Sequence, residues 1–556
     1  MNSVVKSPKD SKLSISYLIV GFIAVFIGAV CGLLQGLVRG GVIELPSFIN
    51  YYQLLTAHGV LLALVFTTFF IYGLLFAGVS KTMGILSDKT RTIGWIGFWV
   101  MTIGTICSAT MIILGEASVM YTFYAPLQAH PLYYIGLALV VVGSWIGGAA
   151  MLMHYFAWRK KNSGKLSPLF GYMTTATIIL WLVCSIGVAI TVLFQFIPWS
   201  FGWADRINVL LSRTLFWYFG HPLVYFWLLP AYIIWYVSIP KIIGGKVFSD
   251  SLARLSFVLF ILFSIPVGFH HQLTESGISE GWKFLQVVLT FMVITPSLMT
   301  AFSLFATFET TGRAKGAKGL FGWLKKLPYN DVRFFAPFMG MLFFIPGGAG
   351  GIVNASHQMN TAIHNTLWVV GHFHITVGTP VVLTFFGATY WLVPYLTGRK
   401  LTPALNKAGM IQTILWSVGM FFMSTAMHIL GLFGAPRRTA YSTYQDHPTA
   451  LEWFHGFFSH YTTVALGGTI LFIAAMMMVY LFFHLAFFAP KAENDIEATE
   501  FPIGEVADHA ITTPRILENW KVWIGIVVVL ILIAYTVPVT DMITHAPAGS
   551  PPIRTW

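Results

Sequence analysis

Two histidines stand one residue apart in the apolar run VGHFHITVG, residues 370–378. Each helical residue turns by about 100°, so His372 and His374 point to nearly opposite sides of a helix and can serve two separate partners. In GHPLVYFWLLPAY, residues 220–232, His221 and Tyr225 are four apart and share a helix face about one turn from each other. A phenol beside a metal-bound imidazole can deliver a proton and an electron. His270 and His271 are adjacent, and His58 lies in a further apolar segment. Imidazoles unaccompanied by carboxylates or thiolates suit copper, iron or haem more than calcium or magnesium. His154 and His484, each alone near the end of an apolar run, read instead as interfacial or packing residues.

The elements that hold these side chains must face lipid. The chain has 556 residues, 56% hydrophobic and only 9% charged, with a mean hydropathy of +0.75. Soluble domains carry roughly 25% charged residues, so this chain cannot cover a water-facing surface. The net charge of +12 is not clustered as a nucleic-acid patch requires, which excludes nucleic acid as a partner. Cys31, Cys107 and Cys184 lie in apolar segments without a CxxC or CxxCH pattern. Neither a zinc ribbon nor covalently attached c-type haem is expected.

A bilayer core needs roughly 20 apolar residues per helix. Apolar runs between charged breaks give spans 15–38, 53–78, 92–115, 131–158, 168–196, 210–239, 253–272, 283–309, 334–355, 362–395, 408–433, 456–488 and 519–540. The expectation is an all-α, polytopic membrane protein of about thirteen helices, a single transmembrane domain over 1–556. The polar MNSVVKSPKDSK is no signal peptide, so the first span is retained. Lys and Arg favour cytoplasmic loops. A cytoplasmic N-terminus and an outer C-terminus put 25 of the 32 basic residues inside, leaving Arg39, Arg206, Arg213, Lys283, Arg437, Arg438 and Arg554 outside. In that direction His58, His221, the His270–His271 pair and the His372–His374 pair all fall in the outer half of the membrane. Ionisable residues at such depth are functional by default.

The residues resemble a known family, the haem–copper oxygen reductases, and within it subunit I of the B-type branch. The motifs are TAHGVLLALVF around His58, FGHPLVYFW around His221 and Tyr225, GFHHQ around His270 and His271, HNTLWVVGHFH at 364–374 and APRR at 435–438. The resemblance implies that His58 and His374 hold a low-spin haem by two axial bonds. It implies a high-spin haem on His372, and copper (CuB) on His221, His270 and His271. Phe373 would stand between the haems. Tyr225 matches the tyrosine that in this family is covalently joined to its copper-ligand histidine, here His221. The implied reaction is four-electron reduction of dioxygen to water by a cytochrome c oxidase, coupled to proton pumping.

Tyr232 and Tyr236 follow Tyr225 inward along one face, and Ser297, Thr300 and Ser303 repeat by three in the inner half of the span 283–309. These hydroxyls could simply back-bond to their own helices, but together they match the family's K-pathway. Arg437 and Arg438 suit bidentate carboxylate binding and match residues that bind haem propionates. His364 and Asn365 resemble polar groups of the proton exit. Asn360 stands where some relatives have a carboxylate. The commoner A-type enzymes read GHPEVY, whereas Leu223 replaces that acid here, so one proton pathway is expected rather than two.

A nitric oxide reductase shares the six histidines but uses nearby glutamates, and no carboxylate accompanies His221. Glu275 is expected in an outer loop. A non-redox proton or solute transporter is the rival of another class, but such proteins often show inverted repeats and none is found. The expected partners are dioxygen, a subunit II with a two-copper centre, cytochrome c rather than quinol as donor, and the lipid bilayer. The expected location is a bacterial plasma membrane.

Overall fold

The structure, a computed structural model, describes residues 7–440, 458–493, 497–507 and 513–555. Among these, helices dominate, and strands are limited to Leu127–Gln128 and Ile553–Arg554, paired in parallel. The long helices are α1 (Pro8–Arg39), α2 (Tyr51–Met83), α3 (Asp88–Ile113), α4 (Pro131–Lys161), α5 (Leu169–Ser200) and α6 (Val209–Ile242). Then come α7 (Asp250–Ser264), α8 (Glu280–Ala314), α9 (Val332–Ala355), α10 (Leu367–Thr397), α11 (Pro403–Leu432), α12 (Phe458–Phe483) and α13 (Trp520–Thr544). Twelve are long and apolar enough to cross a membrane. Large apolar side chains such as Trp99, Ile106, Phe302 and Leu532 are exposed on their outer faces, as a lipid-facing surface requires.

The exception is α7. Its expected span, 253–272, is helical only to Ser264, and Phe269–His271 form a separate 3-10 turn. Pro266 lacks an N–H and its ring obstructs the preceding turn, so the helix cannot reach the histidine pair. The tenth span also starts later than expected, at Leu367 behind the N-cap of Thr366, which leaves His364 and Asn365 outside it. Residues 456 and 457 of the twelfth expected span lie outside the described residues.

Neighbours in sequence pack as neighbours in space: α3 on α4, α5 on α6, α7 on α8, α9 on α10 and α11 on α12, with α1 closing against α12. Buried charges pin one end of the bundle. The Asp10 carboxylate accepts from Arg91 Nε (2.7 Å), Ser80 Oγ (2.6 Å) and Leu86 N (3.0 Å). Arg254, at the start of α7, donates to Asp250 (2.6 Å) and to Glu518 (2.9 Å), which also accepts from Ser167 N (2.7 Å). Ions removed from water are tolerable only when several partners satisfy them. α7, which leads to the histidine pair, is therefore anchored at its far end.

Two helices are wound loosely beside the site. The seven residues after Gly59 form a π segment, Val60–Phe66, and α6 contains another at Ile234–Ser238 after Pro222 and Pro230. Such segments re-aim side chains inside an otherwise regular helix and cluster at functional sites.

Candidate metal centre

α6 and the 3-10 turn bring His221, His270 and His271 together, with one ring nitrogen from each within 4.8 Å of the others. Ring centres are 4.2 Å apart for His221–His270, 4.2 Å for His270–His271 and 5.5 Å for His221–His271. His271 Nε2 faces His221 Nδ1 at 3.4 Å, and its ring is stacked on Trp217 at 3.8 Å. The nearest acid in sequence is turned away: Glu275 binds Arg213 at 2.5 Å and Gln272 at 2.9 Å. Three imidazoles that converge with no carboxylate fit copper. Tyr225 lies 5.1 Å from His221, ring centre to ring centre, on the shared face expected from their spacing. The buried Nε2 of His221 has no hydrogen-bond partner.

His58 and His374 form a second group. Their rings are 15° from parallel with centres 6.1 Å apart. An ion bound midway at about 2.0–2.1 Å from each nitrogen would separate the ring centres by roughly 6 Å. Both Nδ1–H groups are used on carbonyls, His58 on Gly28 (2.9 Å) and His374 on Val370 (2.8 Å). That fixes Nε2 as the free ligand atom in each. His372 points the other way. Thr376 Oγ1 donates to Gly347 O (3.2 Å), so it accepts from His372 Nδ1–H (3.2 Å), again leaving Nε2 free.

Glycine makes the rings fit. A Cβ at Gly32 would lie 2.6 Å from His58 Nδ1, and one at Gly350 would lie 2.5 Å from His372 Nδ1. One cavity of about 810 Å³ reaches all six histidines, Tyr225 and Phe373, within the size range of cofactor sites. Phe373 packs between Tyr121 (6.2 Å) and Trp227 (5.8 Å).

The same cavity is lined by Tyr232, Ser297 and Thr300, beyond Tyr225. Tyr236 comes within 3.5 Å of Ser256 and lies beside Thr300 and Ser303. Ser297 and Thr300 also bond their own helix, at Val293 O (3.3 Å) and Pro296 O (2.9 Å), while Ser303 Oγ is buried without a partner. The structure thus stands Tyr232 by Ser297, and Tyr236 by Thr300 and Ser303.

At the opposite end Arg437 donates twice to Asn365 Oδ1 (2.8 and 3.2 Å). Arg438 Nη2 is buried without a partner, and its guanidinium lies 4.8 Å over Tyr124, as does that of Arg213. Arg438 lines the cofactor-sized cavity, and an orphaned guanidinium N–H there is a fitting donor for a carboxylate. Burial and the neighbouring Arg438 bring Arg437 down to about 10. His364 Nδ1–H donates to Asn360 Oδ1 at 2.9 Å. Burial, then Arg437, Arg213 and Arg438, push its pKa down to about 4.

Sequence reasoning missed Arg39 and Arg213, counted there only as loop charges. Arg39 lines the cavity and donates to Pro436 O at 3.2 Å. A signal existed: of the seven basic residues assigned outside, six are arginine, the residue suited to buried carboxylate recognition.

The family model "Cytochrome C and Quinol oxidase polypeptide I" matches residues 12–470. The chain belongs to this family. It is 37% identical to cytochrome c oxidase subunit 1 of Thermus thermophilus, over 98% of this chain and 97% of the relative. It is 24% identical to quinol oxidase subunit 1 of Bacillus subtilis, over 77% of this chain and 65% of that one. A haem–copper terminal oxidase dimer solved by cryo-electron microscopy superposes with a TM-score of 0.93 at 36% identity, covering 99% of this chain and 96% of that one. This cytochrome c oxidase homologue is therefore an oxidoreductase of the respiratory chain, a multi-pass subunit I. The family implies haem and copper, dioxygen as substrate and a subunit II as partner.

Proposed function

We propose that the chain is the catalytic subunit of a B-type cytochrome c oxidase that reduces dioxygen to water and pumps protons through a single K-type pathway. His58 and His374 would hold a low-spin haem, His372 a high-spin haem, and His221, His270 and His271 one copper ion. The observation that carries this reading is the carboxylate-free triad, with ring nitrogens within 4.8 Å, beside Tyr225. When bound, the two irons and the copper supply the electron relay and the dioxygen site.

The chain's own residues do the rest. Tyr225 gives a proton and an electron from its Oη, and the unpartnered Nε2 of His221 supports the expected link between the two rings. Tyr232, Ser297, Thr300, Tyr236 and Ser303 pass protons toward Tyr225 from the side where the chain begins, which would be the cytoplasm. Leu223 is buried where A-type enzymes carry a glutamate, which leaves that one file as the uptake route. Arg437 and Arg438 hold propionates, and His364 with Asn365 receives protons on their way out. Nearly full-length similarity to a bacterial cytochrome c oxidase supports cytochrome c as donor, a subunit II with a two-copper centre and a bacterial plasma membrane.

The test is the metal content of the chain, separated from any copper-bearing partner. Two irons and one copper per chain are expected. Three irons without copper would replace this reading with a nitric oxide reductase. No metal in a folded preparation would refute the assignment of all six histidines.

A further inference from the structure

The triad contains a structural problem that the helix pair His58–His374 does not. His270 and His271 follow a broken helix, so the peptide N–H groups of Gly268 and Phe269 have lost the carbonyls that an unbroken α7 would offer. Buried N–H groups must be paired. Both donate to one atom, Gln286 Oε1 on α8, at 2.8 Å each. Gln286 is fully buried, and its Nε2 donates across to Ala534 O on α13 at 3.3 Å.

One turn further along α8, Thr290 Oγ1 donates to Gln286 O at 2.7 Å. Its single proton is thereby committed, so at 3.0 Å from His270 Nδ1 it can only accept. His270 must then carry its proton on Nδ1 and present Nε2 to the triad. The turn has no space to shift. A Cβ at Gly268 would lie 2.8 Å from Trp217 O and 2.6 Å from Tyr535 Oη.

We propose that Gln286 and Thr290 are positioning residues for the copper triad: Gln286 fixes the backbone of the histidine turn, and Thr290 fixes the tautomer and ring angle of His270. The inference rests on copper binding by the triad as given under Proposed function. α8 thus serves the site twice, with hydroxyls toward the uptake side and this pair beside the triad. Partners that orient a ligand without touching the metal are worth about 10- to 100-fold in metal affinity.

The test uses the purified oxidase complex of the parent and of Gln286→Leu, Gln286→Glu, Thr290→Val, Thr290→Ser and His270→Ala. Release of copper to a copper(I) chelator is followed in time, and the low-spin haem spectrum is recorded on the same samples. Copper held by a partner subunit is a constant background. Gln286→Leu and Thr290→Val should release triad copper about 10- to 100-fold faster than the parent. Gln286→Glu and Thr290→Ser, which keep the accepting oxygen, should stay within about threefold of the parent. The low-spin spectrum should stay unchanged in all four.

Release from the Leu and Val variants at the parent rate would overturn the inference. So would equally fast release from the Glu and Ser variants, or loss of the low-spin spectrum together with copper, since either means general loosening rather than positioning. If His270→Ala removes no copper at all, the triad reading itself fails, and this inference with it.

Discussion

The two histidine groups use the same side chain and are held by opposite means. His58 and His374 sit in continuous helices, and their Nδ1–H groups are bound to the carbonyls of Gly28 and Val370. Those anchors are backbone, and no substitution at the anchor position deletes them. His270 and His271 sit on a three-residue turn beyond a broken helix, anchored by the side chains of Gln286, Thr290 and Trp217. Adjacent residues on a regular helix point about 100° apart, so the chain gives up helical support to bring both His270 and His271 to His221. The bis-histidine pair is built to be rigid by default, and the triad only by added side chains.

The strongest way to break that comparison is to remove ligands. His374→Ala should abolish the low-spin haem spectrum and reduce oxygen consumption to background while triad copper stays. His271→Ala should remove triad copper and leave the low-spin spectrum intact. If either variant lost both signals, the two groups would form one cooperative unit rather than two separately held sites. Tyr225→Phe sharpens the same contrast, because it alters neither ligand set. Metal content and low-spin spectrum should be those of the parent, and turnover should fall by about 10²- to 10⁴-fold, the usual worth of a positioned proton donor. Turnover within tenfold of the parent would remove Tyr225 from the chemistry.

The same contrast explains what the sequence made legible. Long apolar helices and the six histidines could be read because their signals are local: a run of apolar residues, a pair of imidazoles two apart, a tyrosine one turn from a histidine. The extent of α7 could not, although Pro266 was visible, because hydropathy counts apolar residues whether or not they are helical. Gln286 was invisible as a scaffold. It appears as a single amide in an apolar run, and only the fold reveals which N–H groups it meets. Arg39 and Arg213 failed for a different reason, since their charge was assigned to topology before the place of Arg39 at the cavity and of Arg213 on Glu275 and Tyr124 was known. Gly32 and Gly350 carry no local signal at all, because what they exclude is a Cβ against a ring from another helix.

Those glycines give a prediction of intermediate size. Gly32→Ala places a methyl 2.6 Å from His58 Nδ1, where the ring can yield only by tilting away from Gly28 O and His374. Retention of the low-spin haem should weaken by about tenfold, the lower end of what losing an orienting partner costs, with triad copper unchanged. Gly350→Ala should act in the same way on the haem proposed for His372, and leave the low-spin spectrum alone. Haem retention during dilution, read from the visible spectrum, separates the two. Loss of copper in either variant would contradict the independence of the groups.

The smallest effect concerns His364, which lies outside the membrane-spanning helices. Burial and the Arg437, Arg213 and Arg438 charges depress its pKa to about 4, against about 6.5 in an unfolded chain. Between those values the unfolded state binds more protons than the folded one. The stability linked to His364 is therefore fully present above about pH 6.5 and is lost as the pH falls toward 4. His364→Gln removes that linkage, so its melting temperature should fall less steeply than the parent's over this window, by about 2–4 °C at pH 5. Asn360→Asp puts a carboxylate where Oδ1 now accepts from His364 Nδ1 at 2.9 Å. The charged imidazole then gains a partner, the folded pKa rises, and the acid limb should move to lower pH. Melting followed through the low-spin haem absorbance between pH 7 and 4.5 reads both changes. Parallel curves for the parent and both variants would show that the arginines do not govern His364, which would remove it from the proposed exit.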